Sequence, residues 1–418
     1  MTREVRRLIF VFFLLIFIIA VPMIILYALG YNFDSDKKIL ISTGGLYLKS
    51  IPPKAEIYIN DKLQGKTNGF VRHLSPQIYN VKIIKEGYHS WEKNLNVKPG
   101  LVELADNILL LPLNPKISLT NQTTIQSFSL LPNQRELLYF ASNSFHLLDL
   151  TRGTERAPII SLPRTFSPDN FIWSNDNENF IVYSGNQYYL ANINNPDIFT
   201  DINALIKKLS KYTISKIENL NFDITGNKIY FASNNNLYTL TLDKQKPANS
   251  SLSSILISNI INYVPLGDKI IYLDYFTGKI NRFDPVTLQT EVLIETIIPS
   301  FNQGKWIVSN DYKKLLCQKD SSVEILWLED GNGQITRHKE ELEKIDFGEK
   351  INNIIWYSQT NEHLIISTDE AILVAELDNR EPQNIIKLIT TEKPQITYNP
   401  YNQLLYFLSQ NRLYQTEI

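Results

Sequence analysis

The pattern of apolar and polar residues divides the chain into a long apolar run and a much longer alternating region. Residues 8–29 read LIFVFFLLIFIIAVPMIILYAL, without a charged side chain. A run of this length can cross a bilayer as a helix. From about residue 46 onward, short apolar stretches alternate with polar positions and are separated by Gly, Asn, Asp and Pro, which is typical of β-strands and turns. We therefore predict an all-β protein behind one N-terminal helix.

The residues that flank the apolar run indicate its orientation. Three arginines stand among residues 1–7, and such a positive flank favours the cytoplasmic side. We expect 1–7 to be a cytoplasmic tail and 8–29 a single-pass signal anchor in the cytoplasmic membrane, with the bulk of the chain extracytoplasmic. The alternative is a cleaved signal peptide, with Ala28 and Gly30 as the small residues before the cut. The run is longer than a usual signal core, which favours an uncleaved anchor.

A compact β-module is predicted after the anchor. Residues 30–45 read as a short linker, and residues 46–112 contain the strand-like stretches LYLKSIP, AEIYIND, GFVRHL, YNVKIIKEGY and SWEKNLNVK. Apolar residues such as Ile57 and Ile59 would share one face. A core of this size is small, so most of its apolar side chains should be needed for packing.

Within the module, the spacing of several residues resembles the PEGA domain. That family shows Ser-x-Pro, Ala-x-Ile-Tyr-Ile-Asn, Gly-x-Thr, a Tyr-x-Val strand and Lys-x-Gly-Tyr-x-x-Trp. The matching residues are Ser50, Pro52, Ala55, Ile57, Tyr58, Ile59, Asn60, Gly65, Thr67, Tyr79, Val81, Lys85, Gly87, Tyr88 and Trp91. Asn68 departs from the usual proline after Thr, and Ser-Pro-Gln stands where a Pro-Gly-like turn is common. The resemblance implies a small β-sandwich that acts as a surface or wall-associated binding module and not as an enzyme.

Two aromatic residues of the motif have two interpretations. Tyr88 and Trp91 could stack on a sugar, or they could fill the small core, and the size of the core favours packing.

The stretch YINDKLQGKTNGF, residues 58–70, partly matches a phosphate-binding loop. Gly65, Lys66 and Thr67 supply its end, whereas Asn60 stands where the first glycine belongs. Such a loop leads directly into a helix N-terminus. Here strand formers follow, so we predict a turn and no nucleotide.

Residues 113–418 repeat one unit of apolar strands separated by polar turns. Two examples are FIWSNDNENFIVYSGNQYYLANI and GKWIVSNDYKKLLCQKDSSVEILWLE. The spacing of about 40 to 50 residues is that of β-propeller blades. We count seven units, with six or eight as alternatives, and a helical pattern only near DINALIKKLSK. The last unit has three strands, so residues 114–120 are expected to supply the fourth and remove the open edges.

The repeats are similar to the propellers of the TolB kind, in which a turn such as SPDN or TGNKI precedes a central strand. They lack the Gly-His and Trp-Asp signature of WD40 blades. Propellers serve mostly as binding platforms, so the resemblance does not decide function.

Charge and composition exclude few partners but argue against nucleic acid. The 418 residues carry 41 Lys and Arg, 43 Asp and Glu, and a net charge of −2. No basic field for nucleic acid is indicated. The one cysteine, Cys317, lies in an apolar strand-like run and is interpreted as a small core residue.

No motif predicts a catalytic, cofactor or metal site. The five histidines, at 73, 89, 146, 338 and 363, lack metal-ligand spacing. EDGNGQITRHKEE resembles a calcium loop through Asp330, Asn332, Gln334 and Glu341, but Ile335 replaces the glycine of the sharp turn, which favours a hairpin. The carboxylates that recur near turns fit turn chemistry, although an acid pair across blades remains open. They are Asp223, Asp268, Asp274 and Asp284.

These observations lead to three hypotheses. The first is a membrane-anchored binding or scaffold protein of the prokaryotic envelope, with an envelope protein or a cell-wall glycan as partner and ligand-binding residues unknown. The second is an envelope glycan hydrolase with carboxylates at the propeller axis. The third is a sensor, which would need a partner because its cytoplasmic segment is so short.

Overall fold

A computed structural model describes residues 3–34, 39–120, 123–161, 166–196, 198–211, 214–244, 246–332 and 334–418. The chain divides into two compact units. The first consists of Met1–Asn114, Asn332–Ile335 and Glu376–Ile385, and the second contains Pro115–Gly331, Thr336–Ala375 and Ile386–Ile418.

The first unit begins with the long helix α1, Arg3–Ala28, none of whose residues is buried. It is apolar and long enough to cross a membrane. Nine strands follow. They are β1 Tyr31–Asp34, β2 Ile39–Ser42, β3 Gly44–Ile51, β4 Glu56–Ile59, β5 Lys62–Lys66, β6 Gly69–Leu74, β7 Gln77–Ile84, β8 Trp91–Val97 and β9 Val102–Leu109.

Seven of these strands form a sandwich. One sheet has the order β5-β4-β7-β8 and the other the order β6-β3-β9, in which β3 and β9 are parallel. Alternate residues point into the space between the sheets, as the sequence pattern predicts. The core includes Leu46, Leu48, Ile57, Val81 and Leu95, all essentially inaccessible.

The structure differs from the linker expected over residues 30–45. β1 and β2 pair as an antiparallel hairpin in which Phe33 lies opposite Leu40, and β3 already begins at Gly44. Cross-strand pairs of apolar side chains, such as Phe33 with Leu40, contribute to the pairing.

The loop-like stretch at residues 58–70 is built differently from the single turn that we expected. The tight turn is at Asn60 and Asp61, both with positive φ, and Lys62–Lys66 forms strand β5. Thr67 is buried and its hydroxyl accepts a hydrogen bond from the backbone N–H of Ala55 at 2.9 Å. A strand follows it, so this segment lacks the helix N-terminus that a phosphate loop needs.

The second unit consists mainly of antiparallel sheets in which most strands follow one another along the chain. Their strands are β10 Ser118–Leu119, β11 Ser127–Leu130, β12 Glu136–Ala141, β13 Ser144–Asp149, β14 Thr154–Ser161, β15 Asn170–Trp173, β16 Asn179–Ser184, β17 Gln187–Asn192, β18 Phe199–Asp201, β19 Glu218–Phe222, β20 Lys228–Ser233, β21 Asn236–Thr241, β22 Ser251–Leu252, β23 Ile257–Ser258, β24 Ile260–Leu266, β25 Lys269–Asp274, β26 Ile280–Phe283, β27 Thr290–Ile294, β28 Lys305–Val308, β29 Lys314–Gln318, β30 Ser322–Trp327, β31 Gly331–Asn332, β32 Thr336–Arg337, β33 Leu342–Asp346, β34 Asn353–Trp356, β35 His363–Ser367, β36 Ala371–Glu376, β37 Ile385–Thr390, β38 Gln395–Asn399, β39 Leu404–Ser409 and β40 Arg412–Glu417.

The sheets run β11 to β14, β15 to β18, β19 to β23, β24 to β27, β28-β29-β30-β33, β34 to β37, and β10-β40-β39-β38. In the last of these, Ser118 and Leu119 pair with β40 near the C-terminus. The blade count and the domain limits inferred from sequence stay predictions.

One α-helix lies between β18 and β19 along the chain. α2 spans Ile202–Leu209, and the side chain of Asp201 caps it by accepting from the backbone N–H of Ala204. It falls in the segment whose sequence showed a helical pattern.

The turn between the first two strands of these sheets follows a recurring design. Each such turn contains a residue with φ between 54° and 68°. These residues are Gln134, Asn177, Gly226, Gly267, Tyr312, Asn361 and Gln403. Six of them are Gly, Asn or Gln, whereas one is a bulky aromatic, although this conformation favours Gly and Asn.

Candidate functional site

The turn that carries Tyr312 lies at a groove of the second unit. The groove has a volume of about 680 Å³ and is lined by the ends of β24 to β27, by Ile224 and by Tyr312. A neighbouring hollow of about 310 Å³ shares Leu266, Arg282, Tyr312 and Glu329 with it.

Ion pairs fix the charged wall of the groove. Lys269 Nζ donates to Asp284 Oδ2 at 2.7 Å and lies 3.1 Å from Asp268 Oδ2. Arg282 lies 2.5 Å from Glu291 Oε1. The hydrogen bond from Lys269 and the backbone N–H of Val286 hold the pKa of Asp284 well below its usual range. Both basic side chains of this wall are therefore already paired.

A surplus of negative charge remains. Glu329 is exposed in the groove and has no hydrogen-bond or ion-pair partner among the residues that the structure describes. Because Lys269 and Arg282 are neutralised by Asp284 and Glu291, Glu329 and Asp268 leave the wall acidic.

Apolar side chains in the groove and beside it are exposed to solvent. Tyr312 is 53% exposed and Ile224 is 48% exposed. The turn between β26 and β27, which follows the groove residue Asp284, adds Val286 at 85% and Leu288 at 67%. Exposed apolar side chains beside fixed charges are typical of surfaces that bind a partner.

Two of these side chains stand on strained backbone. Tyr312 has φ 61° and Leu288 has φ 58°. The left-handed conformation costs a residue with a Cβ about 1–2 kcal/mol. Residues held in sparsely populated backbone conformations cluster at active sites and ligand-binding sites.

The groove offers binding chemistry and no evident acid catalyst. A general acid would need a carboxyl group with a raised pKa, whereas the pKa of Asp284 is lowered. In the described part of the chain, burial raises the pKa of Glu362 and Glu376, but the two belong to different units, and Lys314 lies 2.9 Å from Glu362.

The turn carboxylates singled out from sequence mostly serve their own turns. Asp223 accepts from Lys228 N–H at 2.7 Å, and Asp274 accepts from Thr277 N–H at 2.7 Å. Asp268 and Asp284 do come together, through Lys269, at the groove.

The other candidates take structural positions. Cys317 is fully buried, which raises the pKa of its thiol to about 11. The calcium-like segment contains the paired strands β31 and β32, as the hairpin interpretation expected. The described residues contain no group of three or more His, Cys, Asp or Glu side chains suited to a metal ion.

The two motif aromatics belong to the core of the first unit. Trp91 is 3% exposed and Tyr88 packs against the same cluster. The indole Nε1 of Trp91 donates to Glu376 at 3.0 Å. The core interpretation is therefore confirmed for Trp91, whose ring face is not available to a sugar.

Around Trp91 the first unit holds a buried charged cluster, consisting of Lys93, Glu103, Glu376, Asp378 and Arg380. The Lys93 ammonium donates to the carbonyls of Asp378 at 2.6 Å and Arg380 at 2.7 Å, and lies 3.6 Å from Glu376 Oε2. Arg380 bonds to Glu103 at 2.7 Å and to Asp378 at 2.5 Å. With two cations and three carboxylates, one carboxylate is in excess.

Comparison with known proteins agrees with this architecture. Residues 43–103 match the family model of the PEGA domain, which confirms the resemblance in that region. No curated protein matches the chain.

Solved β-propellers are similar to the chain in fold. The β-propeller domain of Cps50 (Swd1) from Myceliophteria thermophila matches with a TM-score of 0.51 and 11% identity, over 73% of this chain and 100% of that one. The RRP9 WD40 repeats match with a TM-score of 0.44 and 10% identity, over 73% and 99%. U3-55K matches with 0.45 and 10%, over 73% and 100%. At 11% identity the match to Cps50 shows the fold alone, so the chain combines an N-terminal apolar helix, a region that matches the PEGA domain and a β-propeller fold.

Sequence reasoning did not identify Tyr312, although a signal was present. The turn Ser174-Asn175-Asp176-Asn177 and the turn Ser309-Asn310-Asp311-Tyr312 align residue by residue. The exchange of Asn for Tyr marks the one turn of this kind that carries a large aromatic.

Proposed function

We propose that this chain is a membrane-anchored binding protein of the cell envelope, whose propeller holds a segment of a partner protein in the groove beside Tyr312. The PEGA domain and the propeller support a binding or scaffold role, since neither brings a catalytic constellation in the described residues.

The anchor in this proposal is α1. Its apolar stretch is long enough to cross a bilayer. The arginines that precede it would remain in the cytoplasm, so that both β-units lie outside the cytoplasmic membrane.

The observation that carries the proposal is an exposed side chain on strained backbone in the groove, Tyr312, with a second one, Leu288, between the groove residues Thr287 and Gln289. Tyr312 and Leu288 adopt a conformation that destabilises the free protein, and neither side chain is buried. Contact with a partner would recover the apolar area that these side chains expose to water. Tyrosine is also among the residues that contribute most to protein interfaces.

The groove is better suited to binding a protein than to cleaving a glycan. Tyr312 and Ile224 expose apolar area there, as protein interfaces do. The hydrogen bond from Lys269 lowers the pKa of Asp284, which is unsuited to the acid of a glycosidase.

The test is a binding measurement with detergent-purified full-length chain. Wild type, Tyr312→Asn and Phe276→Asn are immobilised and exposed to solubilised proteins of the native membrane. Phe276 is the matched control, because it is 75% exposed in a turn but does not line the groove.

We expect the wild type and Phe276→Asn to retain the same protein, and Tyr312→Asn to retain at least about tenfold less of it. Prior digestion of the membrane proteins should abolish retention. Equal retention by all three, or retention that survives digestion, would contradict the proposal.

A further inference from the structure

A short hairpin separates α1 from the sandwich, and its apolar residues face solvent. We propose that this hairpin, β1 and β2, is a lipid-interface element, in which Tyr31, Phe33 and Leu40 enter the headgroup layer of the membrane. The inference rests on the proposed membrane span of α1.

The length of α1 places the hairpin at the right depth. From Leu8 to Ala28 the helix rises about 30 Å at 1.5 Å per residue, which equals the ~30 Å thickness of the hydrocarbon core. With the arginines at one surface, Ala28 reaches the opposite surface. Tyr31 begins β1 three residues later.

One face of the hairpin carries Tyr31, Phe33 and Leu40, whereas the other combines Ile39 and Ile41 with Asn32. Residues directly opposite each other share a face, and Tyr31 pairs with Ser42 while Phe33 pairs with Leu40. Phe33 and Leu40 are each 53% exposed. Aromatic residues at this depth are typical of the membrane–water interface.

Hydrogen bonds join the hairpin to the end of the helix. The backbone N–H of Thr43 donates to the Gly30 carbonyl at 2.7 Å, and the Thr43 hydroxyl donates to the same oxygen. The ring of Tyr27 stacks on His73 of β6 with centroids 4.3 Å apart. The base of the hairpin is therefore fixed to the part of the helix that leaves the membrane.

A lipid surface fits this hairpin better than water does. A two-stranded ribbon is marginally stable in water by itself, and each strand has only four residues. No third strand pairs with β1 or β2 among the described residues. Lipid contact would cover Phe33 and Leu40, and the adjoining helix brings the hairpin to the membrane surface.

The test uses the full chain in nanodiscs of phosphatidylcholine and phosphatidylglycerol. An environment-sensitive maleimide dye is attached at Leu40→Cys or, separately, Phe33→Cys. Lipids that carry a doxyl quencher near the headgroup or near the acyl-chain end report its depth. The native Cys317 is fully buried and should stay unlabelled.

Two control positions make the outcomes distinct. Phe17→Cys lies in the middle of α1 and tests the span. Leu113→Cys is the control away from the hairpin, because the native Leu113 is half exposed and belongs to the same unit. β9 begins beside the hairpin base, where Gly100 N–H bonds to the Thr43 carbonyl, and its eight residues lead about 26 Å away toward Leu113.

We expect the headgroup quencher to reduce the dye signal at Leu40 and Phe33 at least about twofold more than at Leu113. The deep quencher should act most at Phe17. If Phe17 responds but Leu40 and Phe33 behave like Leu113, the hairpin proposal is overturned and the span stands. If Phe17 does not respond, the span fails and the hairpin proposal falls with it.

Discussion

The indole Nε1 of Trp91 donates a hydrogen bond to the carboxylate of Glu376 at 3.0 Å, although 285 positions separate the two residues in sequence. Both belong to the first unit, so the PEGA-matching region is completed by a segment from far along the chain. The indole N–H of Trp91 therefore has its hydrogen-bond partner within the first unit.

Lys93→Met should strongly destabilise the first unit. The substitution leaves the carbonyls of Asp378 and Arg380 without their donor and removes the cation beside Glu376. Breaking a buried pair of this kind costs about 3–5 kcal/mol. Hydrogen exchange of β8 measures the loss. Lys82→Met is the control, because its ion pair with Asp61 is largely exposed and should contribute below about 1 kcal/mol. Equal effects of the two variants would contradict the buried-pair account.

The stability of the first unit should fall as pH rises from about 5 to about 8. Burial, reinforced by repulsion from Asp378, raises the pKa of Glu376 to about 7, against the attraction of Lys93 and the hydrogen bonds from Asn384 and Trp91. The folded carboxyl group therefore binds a proton at pH values where the unfolded one, with an ordinary pKa, has lost it. Below the pKa that Glu376 has in the unfolded chain, this proton stabilises the folded unit by on the order of 3 kcal/mol. The stabilisation is lost as pH rises through the pKa that Glu376 has in the folded protein.

Hydrogen exchange of β8 across this pH range, corrected for intrinsic exchange rates, checks the prediction. In Glu376→Gln the dependence should flatten between pH 5 and 8, because an amide keeps an acceptor for Trp91 but does not titrate. A pH dependence that persists unchanged in this variant would show that another group causes it.

Tyr312→Asn should stabilise the second unit while it weakens binding. Asn tolerates the left-handed conformation that Tyr312 adopts, so the free energy of unfolding should rise by about 1 kcal/mol. Urea denaturation followed by circular dichroism measures it. Phe276→Asn should leave stability within about 0.5 kcal/mol, since an exposed side chain is removed without relief of strain. A loss of stability in Tyr312→Asn would mean that the tyrosine serves the fold.

The Cys317 thiol should be inert in the native protein. It is fully buried and its pKa is raised to about 11, so little thiolate is present at neutral pH. Ellman's reagent should react at least about a hundredfold more slowly with the folded protein than with the urea-unfolded chain. Rapid native reaction would place this sulfur at an accessible surface.

The strands and the core of both units were accessible from sequence because the alternating pattern directly reports a half-buried strand. The PEGA resemblance, the helix and the buried state of Trp91 and Cys317 followed from such local signals. The hairpin at Tyr31–Ser42 was missed because its residues were interpreted as a linker, and Phe33 and Leu40 are exposed, so no core pattern marked it.

The hydrogen bond from Lys93 to the Asp378 carbonyl could not be predicted, because nothing in the sequence around either residue indicates a partner nearly three hundred residues away. The groove was missed for a similar reason. Asp268 and Asp284 meet only through the side chain of Lys269, and the importance of Tyr312 lies in a backbone angle that a single turn does not reveal.

The central claim is that the groove beside Tyr312 binds a partner protein. The most direct measurement is photo-crosslinking in native membranes with full-length chains that carry a photoreactive phenylalanine at position 312 or at position 276. We predict one dominant protein adduct from position 312 and none of that mass from position 276. The same adduct from both positions, or none from position 312, would contradict the account.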